Sequence, residues 1–351
     1  SDVYKRQSAL TLTAFTIDVT QPTRSESTAV STPGNDQTPD IGITVSEAVT
    51  AVYGGDCDSQ TSSLSSGANT ITLEDDAGSY GNLAEGTYSD CTITITDLAG
   101  NTAAAGALTF TTFVIDITVA AATETTAVTT PTADTTPDVV INVAEAGTIA
   151  VGGTSGCGLS STSTMSSGGN TVTLTASGAD GAYVCTVTFT DSAGNAASAL
   201  SLTSFTLDTT ANAATEGTAV STPDNDNTPD VVISVDEAGT VAVGGSCGTS
   251  TAAAVSSGSN TLTLTQTDGS SALADGTYSD CTVTFTDSLS NAASSLTLTS
   301  FVVDTTVAAA TEGTAVSTPD NDNTPDVIIS VAEAGTVAVG GSCGTSTSSS
   351  V

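Results

Sequence analysis

Apolar side chains recur on every second position through one well-defined stretch of this chain. Val231, Ile233 and Val235 alternate with polar residues, as do Val241 and Val243, Leu262 and Leu264, Cys281, Val283 and Phe285, and Leu296 and Leu298. Thr and Ser fill most positions between them, residues that suit a pleated surface with one face in water. Gly239, Gly244-Gly245, Gly258, Gly276 and Asn291 punctuate the runs as turns. No stretch sustains the helical period, so the pattern predicts short strands and an all-β chain. Short strands divided by frequent turns, in units of about 95 residues, predict a two-sheet Greek-key sandwich with its own core.

The same pattern recurs along the chain. The segment Ala214–Thr251 returns at Ala310–Thr347, 96 residues on, with only Val232 changed to Ile328 and Asp236 to Ala332. A Thr-Pro-Asp triplet ends at Asp40, Asp138, Asp230 and Asp326, and an F-x-x-D motif starts at Phe15, Phe113, Phe205 and Phe301; both step by 98, 92 and 96 residues. Such a period marks a tandem array. Complete units are expected over 21–118, 119–210 and 211–306, with a truncated fourth over 307–351. Residues 8–20 read as the last strand of a preceding unit, ending at Asp18. Asp2–Gln7, DVYKRQ, is the translation of a transposase adapter end, so residues 1–7 are set aside as a sequencing artefact. Both ends therefore read as the ends of a DNA fragment.

Charge narrows the range of partners. Without Asp2, Lys5 and Arg6, 37 acids stand against one base, Arg24, a net charge near −36. That field repels nucleic acid and anionic membrane and favours cations. Asp outnumbers Glu 28 to 10, which suits turns, caps and oxygen-ligand loops. The chain contains no His, and its only Lys lies in the adapter segment, so Ser–His–Asp and Cys–His catalysis have no general base. A glycosidase-type carboxylate pair would have to recur in every unit. A non-enzymatic protein is expected.

The seven cysteines fall one pair per complete unit: Cys57 with Cys91, Cys157 with Cys185, and Cys247 with Cys281, leaving Cys343. One pair per unit suggests an intradomain disulfide and an oxidising, extracellular or cell-surface setting. Buried thiols are the alternative. A bridge would compensate for a core without Trp and with only 4% aromatic residues.

The run GTYSDCTVTFTDSLSNAASSLTLTSFVVDTT, Gly276–Thr306, resembles the end of bacterial Ig-like repeats, in which Y-x-V-x-V-x-D-x-A-G-N precedes a strand finishing in F-x-V-D-T-T. Asn225–Pro229, NDNTP, resembles their start, and the likeness spans residues 8–351. It implies tandem Ig-like Greek-key sandwiches in an elongated array, from a large surface or secreted adhesin or biofilm protein whose repeats form stalks, often stiffened by calcium. Tyr183 stands two residues before Cys185, the spacing of a tyrosine corner, whereas Tyr88 and Tyr278 lie one residue further from their cysteines. The first Cys of each pair follows the presumed third strand, so this is not the disulfide of antibody domains.

Carboxylates also keep their place from unit to unit. Glu47, Glu145, Glu237 and Glu333 follow the second strand; Asp97, Asp191 and Asp287 open a D-x-x-x-N turn; Asp18, Asp116, Asp208 and Asp304 end the last strand. In an Ig-like topology those places meet at one end. Three junction sets follow: Asp18, Glu47 and Asp97; Asp116, Glu145 and Asp191; Asp208, Glu237 and Asp287. Carboxylates so gathered suit Ca²⁺, a hard cation taking about six to eight oxygens. The alternative is that these residues cap strand ends without metal. A weaker candidate is Asp224, Asp226 and Asp230 in PDNDNTPD, where a turn fixed by Pro and Asx residues is the competing reading.

Together these features predict a stalk or spacer segment whose nearest partners are neighbouring repeats, with host or matrix glycans or proteins engaged through other regions. No nucleic-acid contact and no membrane insertion are expected of this segment. A glycan- or receptor-binding module, or a subunit of a self-assembling surface layer or matrix, are the other readings.

Overall fold

The computed structural model describes residues 9–76, 80–154, 156–345 and 350; residues 1–7, read above as an adapter end, lie outside the described residues. In the first repeat the strands are β1 (Arg24–Thr28), β2 (Asp40–Val45), β3 (Val49–Gly54), β4 (Ser63–Leu64), β5 (Gly67–Thr72), β6 (Gly86–Tyr88), β7 (Thr92–Asp97), β8 (Leu108–Thr109) and β9 (Phe113–Ile115). One sheet runs β1-β2-β5 and the other β4-β3-β7-β8, with β6 and β9 paired at the edge. All these ladders are antiparallel. The second and third repeats repeat this plan. In the third, Thr215–Thr218, Asp230–Val235 and Gly258–Thr265 form one sheet with Gly248–Thr249, while Ala254–Val255, Gly239–Gly244, Thr282–Asp287 and Leu296–Thr297 form the other. By compactness the chain divides into residues 1–130 with 135–206, and residues 131–134 with 207–351. No helix among the described residues is long and apolar enough to cross a membrane.

The alternation read from the sequence is the alternation of burial. Along Asp230–Val235 the odd positions Val231, Ile233 and Val235 are buried, and they meet Leu262, Leu264, Val283 and Phe285 in one core. The first repeat builds the same core from Ile41, Ile43, Ile71, Leu73, Ile93 and Ile95. Each buried aliphatic side chain contributes roughly 1.5–3 kcal/mol, so a core of Val, Ile and Leu holds the two sheets together without Trp.

Three disulfides join Cys57 to Cys91, Cys157 to Cys185 and Cys247 to Cys281, with Cα separations of 5.2, 5.7 and 5.3 Å. Cys57, Cys91, Cys185, Cys247 and Cys281 are 1% exposed, so these are core bridges. Cys343 is exposed and forms no disulfide among the described residues.

The tyrosine spacing matters less than the sequence suggested. Tyr88, Tyr183 and Tyr278 all donate a hydroxyl hydrogen bond to the carbonyl four residues upstream, at 3.0, 3.2 and 3.0 Å. Each also stacks on the Phe that opens the last strand: Phe113, Phe205 and Phe301. The extra residue in the first and third repeats is absorbed before the following strand, which begins at Thr92 and Thr282 but at Cys185 in the second.

Residues 9–20 carry no strand, although their sequence matches the closing strands of later repeats. Leu10, Leu12, Phe15, Ile17 and Val19 are all exposed. Extended chain becomes a strand only against a hydrogen-bonding neighbour, and these residues have none of the pairing seen at β9.

Candidate metal centre

Each acidic set is assembled at sheet ends by local structure. Glu47 lies in the turn between β2 and β3, and Asp97 is the last residue of β7. Asp97 Oδ1 accepts the backbone N–H of Ala99 and of Asn101 at 2.9 and 2.8 Å, closing the turn that follows the strand. Asp191 does the same with Gly194 and Asn195, and Asp287 with Leu289 and Asn291. These bonds explain why an Asp is required at the strand end. They also let Asp97, Asp191 and Asp287 be about 95% buried, with exposures of 5%, 6% and 5%.

The structure brings each of the three sets together. In Asp18, Glu47 and Asp97, in Asp116, Glu145 and Asp191, and in Asp208, Glu237 and Asp287, one carboxylate oxygen per residue lies within 4.8 Å of the others. Ligands arranged about Ca²⁺ at roughly 2.3–2.6 Å cannot be further apart than about 5 Å, so the spacing fits that ion. Hydrogen bonding limits the denticity. A carboxylate has about four lone-pair sites. Asp97 uses three: two on Oδ1, and one on Oδ2 for the Asn101 side-chain amide at 2.8 Å. It can thus offer a cation a single oxygen, and the Glu and the other Asp must supply the rest with water or carbonyl groups.

Electrostatics differ among the sets. Hydrogen bonding by the Asn101 side chain leads the causes that hold Asp97 below the ordinary Asp range. Glu237 is pushed the other way, first by burial and then by Asp208, Asp287 and Asp236. Asp236 is peculiar to this set, its counterparts being Ser46 and Ala144. Like charges crowded together in this way favour either a proton or a metal ion among them.

The remaining candidates do not gather. Asp224 Oδ1 accepts the Asp226 N–H, Asp226 Oδ1 accepts the N–H and hydroxyl of Thr228, and Asp230 Oδ1 accepts the Thr263 hydroxyl across two strands. Among the described residues they form no three-carboxylate group, because each is committed to a turn or a cross-strand pair. Asp304 and Glu333 likewise join no such group; Glu333 accepts the backbone N–H of Ala308 at 2.7 Å.

Two features escaped the sequence reading. The first is the Asn that closes the D-x-x-x-N turn. Besides its Asp, the side-chain amide of Asn101 reaches the carbonyl of Asp18 at 3.1 Å, that of Asn195 the carbonyl of Asp116 at 2.8 Å, and that of Asn291 the carbonyl of Asp208 at 2.9 Å. Each Asn therefore fastens the residue ending one repeat to a turn of the next. The second is a glutamate on the first strand. Glu26, Glu124, Glu216 and Glu312 recur with the same 98, 92 and 96 steps as the Thr-Pro-Asp triplets, and that recurrence was the available signal.

A family model described as a bacterial Ig-like domain matches residues 109–209. No curated protein matches the chain. Among solved structures, domains A168–A170 of titin align over 80% of this chain and 99% of theirs, at 10% identity and a TM-score of 0.31. The Bacteroides ovatus mixed-linkage glucan utilization locus protein SGBP-B, solved with a mixed-linkage heptasaccharide, aligns over 78% of this chain and 66% of its own, at 15% identity and a TM-score of 0.17. Dimeric latent PorU from Porphyromonas gingivalis aligns over 81% of this chain and 34% of its own, at 10% identity and a TM-score of 0.18. Strand order, antiparallel pairing and the family match together make this an all-β chain of tandem Ig-like β-sandwich domains.

Proposed function

We propose that this chain is a spacer segment of a large surface or secreted bacterial adhesin, in which calcium couples each sandwich to the end of the preceding repeat. The observation that carries the reading is the threefold recurrence of the same trio, one Asp from the end of a repeat with one Glu and one Asp from the next. A catalytic or ligand-recognition site would distinguish one repeat from its neighbours, whereas a coupling device must be present at every step. Disulfides within each sandwich support an oxidising, extracellular setting. The role is mechanical: each sandwich sets a length, its disulfide restricts unfolding, and the cation restricts bending by holding oxygens from both sides.

The test is the response of the purified chain to millimolar Ca²⁺ and then to chelator, read as melting temperature and small-angle scattering. Binding to the folded state alone raises stability by mass action, so calcium should raise the melting temperature and lengthen the particle. The combined D208N, E237Q and D287N variant should lose part of that response. A protein indifferent to calcium in both measurements would reduce these acids to strand caps and the array to a metal-free spacer.

A further inference from the structure

The three disulfides are not equally covered. Cys57–Cys91 and Cys247–Cys281 each span 34 residues, whereas Cys157–Cys185 spans 28. In the first and third repeats the longer loop returns a leucine to the core that holds the bridge: Leu83 is 0% and Leu273 3% exposed. The leucine is anchored through its backbone N–H, Leu83 on the Gln37 carbonyl and Leu273 on the Asn227 carbonyl, at 2.8 Å each. The shorter loop of the second repeat, Thr175–Asp180, contains no leucine. There the matching carbonyl, that of Thr135, accepts the N–H of Ala176 at 2.8 Å. Ala176 stands directly across the ladder from Cys157. A small side chain thus takes the anchor that a large one holds in the other repeats. Cys157 is partly exposed, while its partner Cys185 is as buried as the four cysteines of the other two bridges.

That exposure belongs to a hydrogen-bonded turn. Cys157 donates its N–H to the Thr154 carbonyl at 3.0 Å, and the Gly156 carbonyl accepts the Ser177 N–H at 3.1 Å. Gly156, at φ 100°, packs closely: a Cβ there would lie 3.0 Å from the Gly178 nitrogen and 3.2 Å from the Tyr183 ring. The residue before Cys157 therefore has no room for a side chain that could shield it. Thiol–disulfide exchange requires a thiolate to reach one sulfur of the bridge, so access decides both whether and where it attacks. In the second repeat Cys157 offers that access; in the first and third repeats neither cysteine does. Charge then selects among thiols. A protein with a net charge near −36 repels anionic thiols and draws in cationic ones.

We propose that the Cys157–Cys185 bridge is a thiol-exchange site, with Cys157 the residue modified and a small cationic thiol its substrate. The incoming thiolate sulfur bonds to Cys157 Sγ as the bond to Cys185 breaks. The electron pair of that bond leaves on Cys185, whose thiolate takes a proton from water. One disulfide is lost and one is formed, so the step consumes no oxidant or reductant beyond the thiol itself. Cys185 stays beside Cys157 and expels the adduct when the external thiol is withdrawn.

The experiment treats the full chain with millimolar cysteamine, a cationic thiol, under native conditions at low salt. Cys343, exposed and unbridged among the described residues, is first blocked with N-ethylmaleimide. Rapid alkylation with iodoacetamide and peptide mass mapping then give the opening rate of each bridge and the position of the adduct. The second bridge should open at least about tenfold faster than the other two, because access controls exchange, and the adduct should sit on Cys157. Equal rates for the three bridges, or an adduct on Cys185, overturn the site. Sub-denaturing urea separates attack on the folded repeat from attack on an opened one. A rate indifferent to urea supports direct access, and a rate that climbs in step with unfolding overturns it. Glutathione, an anion, should lag behind cysteamine at low salt and close the gap as salt screens the protein's charge. A gap that salt leaves unchanged overturns the preference for a cation.

Discussion

The side-chain amide of Asn291 donates to the backbone carbonyl of Asp208 at 2.9 Å, across 83 residues of sequence, while also holding Asp287 Oδ2 at 2.8 Å. One side chain thus joins the end of one repeat to the acidic turn of the next and positions a carboxylate of the proposed metal centre. Asn291→Ala removes both bonds and leaves two acceptors without that donor. The expected loss is about 1–3 kcal/mol of stability in denaturant unfolding. An unchanged midpoint would mean the contact is decorative.

Glu237 should make the third acidic set respond to pH. The Glu237 carboxyl lies above its ordinary value of 4.5, through burial first and then Asp208, Asp287 and Asp236. The folded state therefore binds this proton more readily than the unfolded chain does. Its stabilising effect is full below pH 4.5 and is lost as the pH rises through the folded value. In chelator, melts taken downward from neutral pH should show a gain as that window is crossed, smaller in Asp236→Ala. Asp97 has the opposite sign: its contribution is present above its ordinary value of 3.8 and lost as the pH falls through the lower folded value. A third sandwich that only loses stability on acidification would contradict the assignment for Glu237.

Packing differs between repeats in a way that predicts a compensating pair. A Cβ on Gly239 would lie 2.2 Å from the Thr286 carbonyl oxygen and 2.7 Å from the Phe285 ring, and Gly147 meets Thr190 and Phe189 likewise. The first repeat has Val49 at this place, buried, with Ile95 where the others have Phe. Gly239→Val should cost roughly 1–3 kcal/mol by overpacking. Adding Phe285→Ile should recover part of it, with a coupling of about 0.5–3 kcal/mol in a double-mutant cycle. Additive losses would show that the two positions do not compensate.

Removing a disulfide tests how far the aliphatic core suffices. Cys247→Ala with Cys281→Ala opens a bridge across 34 residues. It should lower the stability of the third sandwich by about 2–4 kcal/mol, read from the denaturant midpoint. The core, already built on Leu262, Leu264, Val283 and Phe285, should still fold.

The sequence by itself determined whatever depends on neighbours along the chain. Val231, Ile233 and Val235 alternate because successive side chains in a strand face opposite ways, so strand identity and buried face were legible there. The short strands Ser63–Leu64 and Gly248–Thr249 were not, since two residues carry no period. The repeat steps paired the cysteines and grouped the acids by position, and the structure brings those same groups together. Tertiary structure alone decided that Asp224, Asp226 and Asp230 serve turns and a cross-strand bond, that Asn291 reaches Asp208, and that Glu216 grips Thr299. The last two contacts join residues 83 apart, and their existence depends on how two sheets stack and where a bulge turns a side chain. Local alternation holds no record of that geometry, because any register that buries the same face satisfies it equally well.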